Sequence, residues 1–126
     1  MKSHLLIGAA SSGSGKTTFT LGLLRALKNR YGKVQPFKCG PDYIDTRHHK
    51  MAAGCPSVNL DSFMMSEQHI CDLYRRYTSV ADYAVTEGVM GLFDGYDAMQ
   101  GSSAEIARTL NTVSYTHLTL PTKLEV

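Results

Sequence analysis

Long apolar runs are missing from this chain of 126 residues. No stretch reaches the ~18 residues that a membrane-spanning helix needs, and Leu5 to Ile7 behind Met1-Lys2-Ser3-His4 is too short for a secretory signal. The expected location is therefore the cytoplasm, with no membrane partner. Cysteine is scarce: Cys39, Cys55 and Cys71 are odd in number, widely spaced and form no C-x-x-C pair. They read as reduced thiols, which excludes a disulfide framework or a closed zinc site. The five histidines supply no matching metal spacing, and the adjacent His48 and His49 would point to different faces of any element, so they read as polar residues exposed at the surface. A surplus of one charge is missing too. Thirteen Lys and Arg against eleven Asp and Glu leave +2, too balanced to argue for nucleic acid. With 43% hydrophobic and 19% charged residues, the chain suits one small domain or part of a larger one, and no internal repeat or linker appears.

What is present alternates between strand and helix patterns. Leu5 to Ala10 is an apolar strand that runs into Ser11-Ser12-Gly13-Ser14-Gly15. A helix follows from Lys16, with Phe19, Leu23, Leu24 and Leu27 as its apolar stripe and Gly32 as a left-handed stop. Gly22 inside it costs about 1 kcal/mol against Ala, tolerable where the helix lies close on a sheet. Lys33 to Cys39 reads as a second strand, Gly40-Pro41-Asp42 as a turn, and Tyr43 to Ala53 as loop with a short helix. Ser66 caps an amphipathic helix that buries Ile70, Leu73, Tyr74 and Tyr77. Tyr43 and the Met64-Met65 pair are expected to pack on a core. Val80 to Thr86 is a third strand ending at Glu87-Gly88, and Ser102 with Glu105 forms a capping box for a helix burying Ile106, Ala107 and Leu110. Such alternation predicts an α/β fold, a parallel sheet with helices on both faces.

Ligands of parallel sheets sit beyond the carboxyl ends of the strands. There this chain places Gly13-Ser14-Gly15-Lys16-Thr17-Thr18, the parts of a phosphate-binding loop of the P-loop NTPase type. Side-chain-free backbone and a helix N-terminus would cradle phosphates through Gly13, Ser14, Gly15 and Thr18. Lys16 would reach the β- and γ-phosphates of ATP, and Thr17 would hold Mg²⁺ through its hydroxyl. The first Gly of the usual pattern falls on Ala10. Mg²⁺ demands oxygen ligands, for which Asp42, Asp45 and Glu87 are candidates. Lys38 either neutralises a transferring phosphoryl group beside Lys16 or is a solvated strand-end lysine. Asp94 and Asp97 read as exposed loop acids.

Four ordered blocks carry a more specific resemblance: Ala10 to Thr18, Val34 to Asp45, Pro56 to Asp61 and Glu87 to Gly95. Together they resemble the amino-terminal part of cobyrinic acid a,c-diamide synthase, over about Lys2 to Leu110. The resemblance implies an ATP-dependent amide ligase of cobalamin biosynthesis. In that family ATP activates the a- and c-carboxylates of cobyrinate, or a related corrin, as acyl phosphates, and ammonia from a glutamine amidotransferase domain displaces phosphate. Carried over by position, Gly13, Gly15, Lys16 and Thr17 would bind nucleotide phosphates. Thr17, Asp42 and Glu87 would surround Mg²⁺, Asp45 would position the substrate carboxylate or metal, and the catalytic set would be Lys16, Lys38 and Asp45. The chain departs from the family pattern at Ala9-Ala10, where Gly-Thr is usual, and at Thr46, where Pro is common.

The end fits less well. Residues 1–112 read as the ATP-binding part of a synthetase domain, incomplete as a sheet, whereas 113–126 interleave polar residues and a proline. They read as a non-native tail, with an exposed edge strand as the alternative. Competing functions are a regulatory or partition-type P-loop ATPase, disfavoured because Ala10, Ser11 and Ser12 stand where that class places a second lysine, a dethiobiotin-synthetase-like enzyme, and an inactive fragment.

Overall fold

Val34 to Cys39 is buried along its whole length, the mark of an interior parallel strand covered on both faces. The computed structural model of the chain describes residues 3–8, 15–88, 106, 108, 110 and 113–115. Within them the elements run β1 (Ser3–Ile7), α1 (Lys16–Tyr31), β2 (Val34–Cys39), α2 (Asp45–Ala53), β3 (Val58–Leu60), α3 (Glu67–Thr78), β4 (Tyr83–Glu87) and β5 (Val113–Tyr115). Ile106, Arg108 and Leu110 are helical. The strands form one sheet in the order β3-β2-β4-β1-β5, parallel at every pairing.

This order explains where the helices lie. The connections β1 to β2 and β2 to β3 move one way along the sheet, whereas β3 to β4 and β4 to β5 move back. Right-handed crossovers therefore put α1 and α2 on one face, and α3 with the Ile106–Leu110 segment on the other. The two cores agree. Leu6, Phe37 and Ala84 pack with Ile70, Tyr74 and Ile106, while Ile7, Val34 and Val85 pack with Leu24, Ala52 and Ala53. Because side chains alternate along a strand, Lys38 shares its face with Val34, and Glu87 with Val85. Both charged groups thus end up beneath α1 and α2.

Several elements differ from the sequence expectation. The strand expected at Leu5 to Ala10 is Ser3–Ile7. The one expected at Val80 to Thr86 is Tyr83–Glu87, with Val80 66% exposed because it still belongs to the turn after α3. β3 had no local signal, being only Val58, Asn59 and Leu60, and it exists because it pairs with Phe37 to Cys39. Of the apolar stripe expected on α1, Leu24 is buried and Leu23 and Leu27 pack partly buried against the core, whereas Phe19 is 39% exposed, and Lys16 and Thr20 join the buried side. Tyr43 and Met64 are exposed at 71% and 75%, and Tyr77 at 37%, so of the aromatic and Met residues expected in the core only Tyr74 is buried, with Met65 partly so. Ser66 does cap α3, its side chain accepting from the His69 amide.

Val113–Tyr115 lie in parallel register with Leu5–Ile7 at the edge of the sheet. Residues 116–126 lie outside the described residues, as do Ser102, Glu105, Asp94 and Asp97. Among the described residues no helix is long and apolar enough to cross a membrane.

Gly22 is exposed, and a Cβ built on it meets nothing within 4 Å. The helix does not need glycine there for close packing. Gly22→Ala should therefore raise stability by about 0.5–1 kcal/mol, through removal of the helix-interior glycine penalty, and thermal unfolding would read this as a higher midpoint. A lower midpoint would show that the site packs against something.

Candidate functional site

Adjacent strands β2 and β4 place Lys38 and Glu87 directly side by side. Both are buried, with side-chain exposures of 3% and 0%. The Lys38 ammonium donates to Asp45 Oδ2 at 3.1 Å, to Glu87 Oε2 at 3.3 Å and to the Gly88 carbonyl at 3.1 Å. Asp42 Oδ2 stands 3.7 Å away. One lysine thus gathers all three candidate carboxylates.

The helix starts supply the rest. Gly15 precedes α1 at φ 85, a left-handed conformation that a Cβ-bearing residue adopts at a cost of roughly 1–2 kcal/mol. This turn brings the first two helical residues, Lys16 and Thr17, to the sheet edge, where the Thr17 hydroxyl lies 2.6 Å from Glu87 Oε2 and 3.4 Å from Asp45 Oδ2. Across the site Asp42 Oδ1 accepts the amides of Ile44 and Asp45 at 2.8 and 3.0 Å. That carboxylate therefore caps α2, and Asp45 rather than Asp42 approaches Thr17. The loop is held from below by Asn59, whose amide donates to the carbonyls of Gly40 and Asp42 at 2.7 and 2.9 Å.

Behind Glu87 lies His49, fully buried. Its Nε2 is 2.6 Å from Glu87 Oε1 and its Nδ1 is 3.0 Å from Ser57 Oγ. The expectation of a surface histidine pair is corrected here: His48 is exposed, but His49 lies one turn after Asp45 on the sheet-facing side of α2.

Burial by itself would raise the Glu87 pKa. Hydrogen bonds from His49 and Thr17 and the charge of Lys38 outweigh it and hold the carboxyl below its ordinary range. Burial would lower Lys38, but Glu87, Asp45 and Asp42 outweigh it and push the ammonium up. Lys16 is lowered, first by burial and then by the charge of Lys38. Asp42, despite a burial effect that raises it, is lowered by the Asp45 and Ile44 amides and by Lys38.

Of the residues singled out from sequence, Thr17, Lys38, Asp42, Asp45 and Glu87 converge, and Lys16 feels the charges of Lys38, Glu87 and Asp45. Thr18 is exposed, and Gly13 and Ser14 lie outside the described residues. Sequence reasoning missed His49 and Asn59. The first had a usable signal, its spacing of four from Asp45 on a helix. For Asn59 there was none, since its role depends on β3.

Lysines, a threonine hydroxyl and three carboxylates thus meet at the carboxyl edge of a parallel sheet. The pattern of the CobQ/CobB/MinD/ParA nucleotide binding domain matches residues 5–122. The chain belongs to that family. It is 50% identical over 111 residues to a cobyrinate a,c-diamide synthase of Listeria innocua serovar 6a, covering 86% of this chain and 25% of that protein. A cobyrinate a,c-diamide synthase of Picrophilus torridus is 48% identical over 110 residues, with the same coverage of 86% and 25%. A hydrogenobyrinate a,c-diamide synthase of Brucella anthropi is 53% identical over 107 residues, covering 84% and 24%. The chain spans about a quarter of the length of these relatives.

A depressed carboxyl pKa in the folded state stabilises that state above the unfolded value, 4.5 for Glu87, and the contribution fades as the pH falls from there through the folded value. The thermal midpoint should accordingly drop on acidification below about pH 4.5, and Glu87→Gln should flatten that limb of a midpoint-against-pH curve. An acid limb of unchanged slope would mean that Glu87 is not held as a carboxylate.

Proposed function

We propose that this chain is the nucleotide-phosphate end of an ATP-dependent amide ligase that acts on the a- and c-carboxylates of cobyrinate or a related corrin, in the cytoplasm. The observation that carries the reading is the convergence of Lys16, Thr17, Lys38, Asp45 and Glu87 at one sheet edge. The names of relatives about half identical over 107 to 111 residues support the choice of substrate. The chain spans about a quarter of those relatives, so ammonia supply from glutamine is assigned to the rest of such a protein.

The donor set suits Mg²⁺. Thr17, Glu87 and Asp45 offer hard oxygens, the Thr17 hydroxyl lying 2.6 Å from Glu87 Oε2 and 3.4 Å from Asp45 Oδ2, and Asp42 Oδ2 lies 3.7 Å from the Lys38 ammonium. Among the described residues no three His, Cys, Asp or Glu side chains could hold a metal by themselves. Mg²⁺ usually keeps several waters and takes phosphate oxygens as further ligands. When bound, Mg²⁺ would offset the charge that builds up as two anions meet.

The chain's own groups do the remainder. Lys16 contacts the β- and γ-phosphates, with Gly13, Ser14, Gly15 and Thr18 supplying amides around them. The substrate carboxylate oxygen bonds to the γ-phosphorus as the bond to ADP breaks. Lys38, already poised among carboxylates, stabilises the incoming carboxylate and the transferring phosphoryl group. Ammonia then bonds to the acyl carbon, phosphate leaves and a proton is released, giving the amide. Asp45 positions the substrate carboxylate from the start of α2.

A regulatory ATPase of the partition type is the second reading, favoured by the breadth of a family whose name includes MinD and ParA. Nucleotide-dependent dimerisation without amidation would support it. In the full-length protein, Lys16→Ala should lower ATP-dependent amidation by about 10²-fold or more while leaving glutamine hydrolysis measurable. Unchanged amidation would overturn the assignment.

A further inference from the structure

His49 has no role in the reaction outlined above, yet both of its ring nitrogens are committed. The ring is fully buried and joins three elements: α2, which carries it, Glu87 at the end of β4, and Ser57 just before β3. We propose that His49 is a positioning residue that holds Glu87 with Oε2 turned toward Thr17 and Lys38, so that the carboxylate meets the nucleotide and its cation in one preset orientation. The proposal rests on the reading of Glu87 as the group facing Mg²⁺.

A glutamate at a strand end has several rotatable bonds, and either oxygen can serve if the terminal torsion turns. Here the two oxygens are divided. Oε1 takes the His49 ring at 2.6 Å, and Oε2 takes Thr17 at 2.6 Å and Lys38 at 3.3 Å. An ionised carboxylate only accepts, so Nε2 carries the proton toward Glu87, while Nδ1 faces the Ser57 hydroxyl. The torsion is thereby fixed during folding instead of during binding, which lowers the ordering cost when ligand arrives. Partners behind a metal-facing ligand typically change metal affinity about 10–100-fold when removed. Simple packing would be indifferent to the donor at Nε2, and the two roles separate on that point.

The test uses the full-length protein and Mg²⁺ itself. Calorimetric titration of ATP at a series of Mg²⁺ concentrations gives the half-saturating Mg²⁺ level without turnover. His49→Leu should raise it about 10–100-fold, with the KM for glutamine unchanged. His49→Gln, whose amide can donate where Nε2 stands, should recover most of that loss. His49→Asn, which keeps only the Ser57 side, should not, and the Gln and Asn pair carries the comparison if the Leu variant does not fold. A folded His49→Leu with an unmoved Mg²⁺ requirement, or Gln and Asn variants equally impaired, would overturn the proposal. Glu87→Gln serves as the reference. If it shifts the Mg²⁺ requirement and His49→Leu does not, only the positioning role fails; if it shifts nothing, the reading of Glu87 fails and the proposal falls with it.

Discussion

A lysine and a glutamate, both shielded from water, end neighbouring parallel strands at Lys38 and Glu87. Neither could stay there alone, since desolvating a single charge costs several kcal/mol, and removing one member of such a pair strands the other. The surrounding chain meets this constraint. α1 starts where Thr17 can donate to Glu87, and α2 starts where Asp45 can accept from Lys38. His49 takes the remaining Glu87 oxygen and the Gly88 carbonyl takes another Lys38 proton. The result is a polar cluster in which every charged group faces a partner, set into the edge of an otherwise apolar core.

Such a cluster is also a poised one. Lys38 and Lys16 face Asp42, Asp45 and Glu87, so carboxylates outnumber ammonium groups around the site. A local excess of negative charge favours a divalent cation, while the lysines keep anionic phosphate from being repelled.

The two helix layers show how the sheet order serves this edge. Chain reversal after β3 leaves β4 at the centre, between β2 and β1. Glu87 therefore has Lys38 on one side and Ile7 on the other. Had β4 followed β3 outward along the sheet, β3 would lie between the acid and Lys38, and two strand spacings of about 4.7–4.9 Å each would separate them instead of one. Asn59 on β3 supports the loop from the flank by binding the carbonyls of Gly40 and Asp42.

Much of this was legible in the residues themselves. The Ser/Gly loop before Lys16-Thr17, the apolar strands, the Ser66 cap and the acids at strand ends all announce a parallel α/β sheet with polar groups at its strand ends, because strand burial, helix capping and glycine turns are local physics. Sequence also supplied the right set of candidate side chains for the cluster. It could not say that Asp45 approaches Thr17 while Asp42 caps α2, that His49 is buried behind Glu87, or that Val58–Leu60 and Val113–Tyr115 join the sheet. The deciding contacts link residues 38 and 70 positions apart. Local periodicity says that a face is covered, but strand order and register decide by what, and those are settled only when the whole sheet closes around its buried charges.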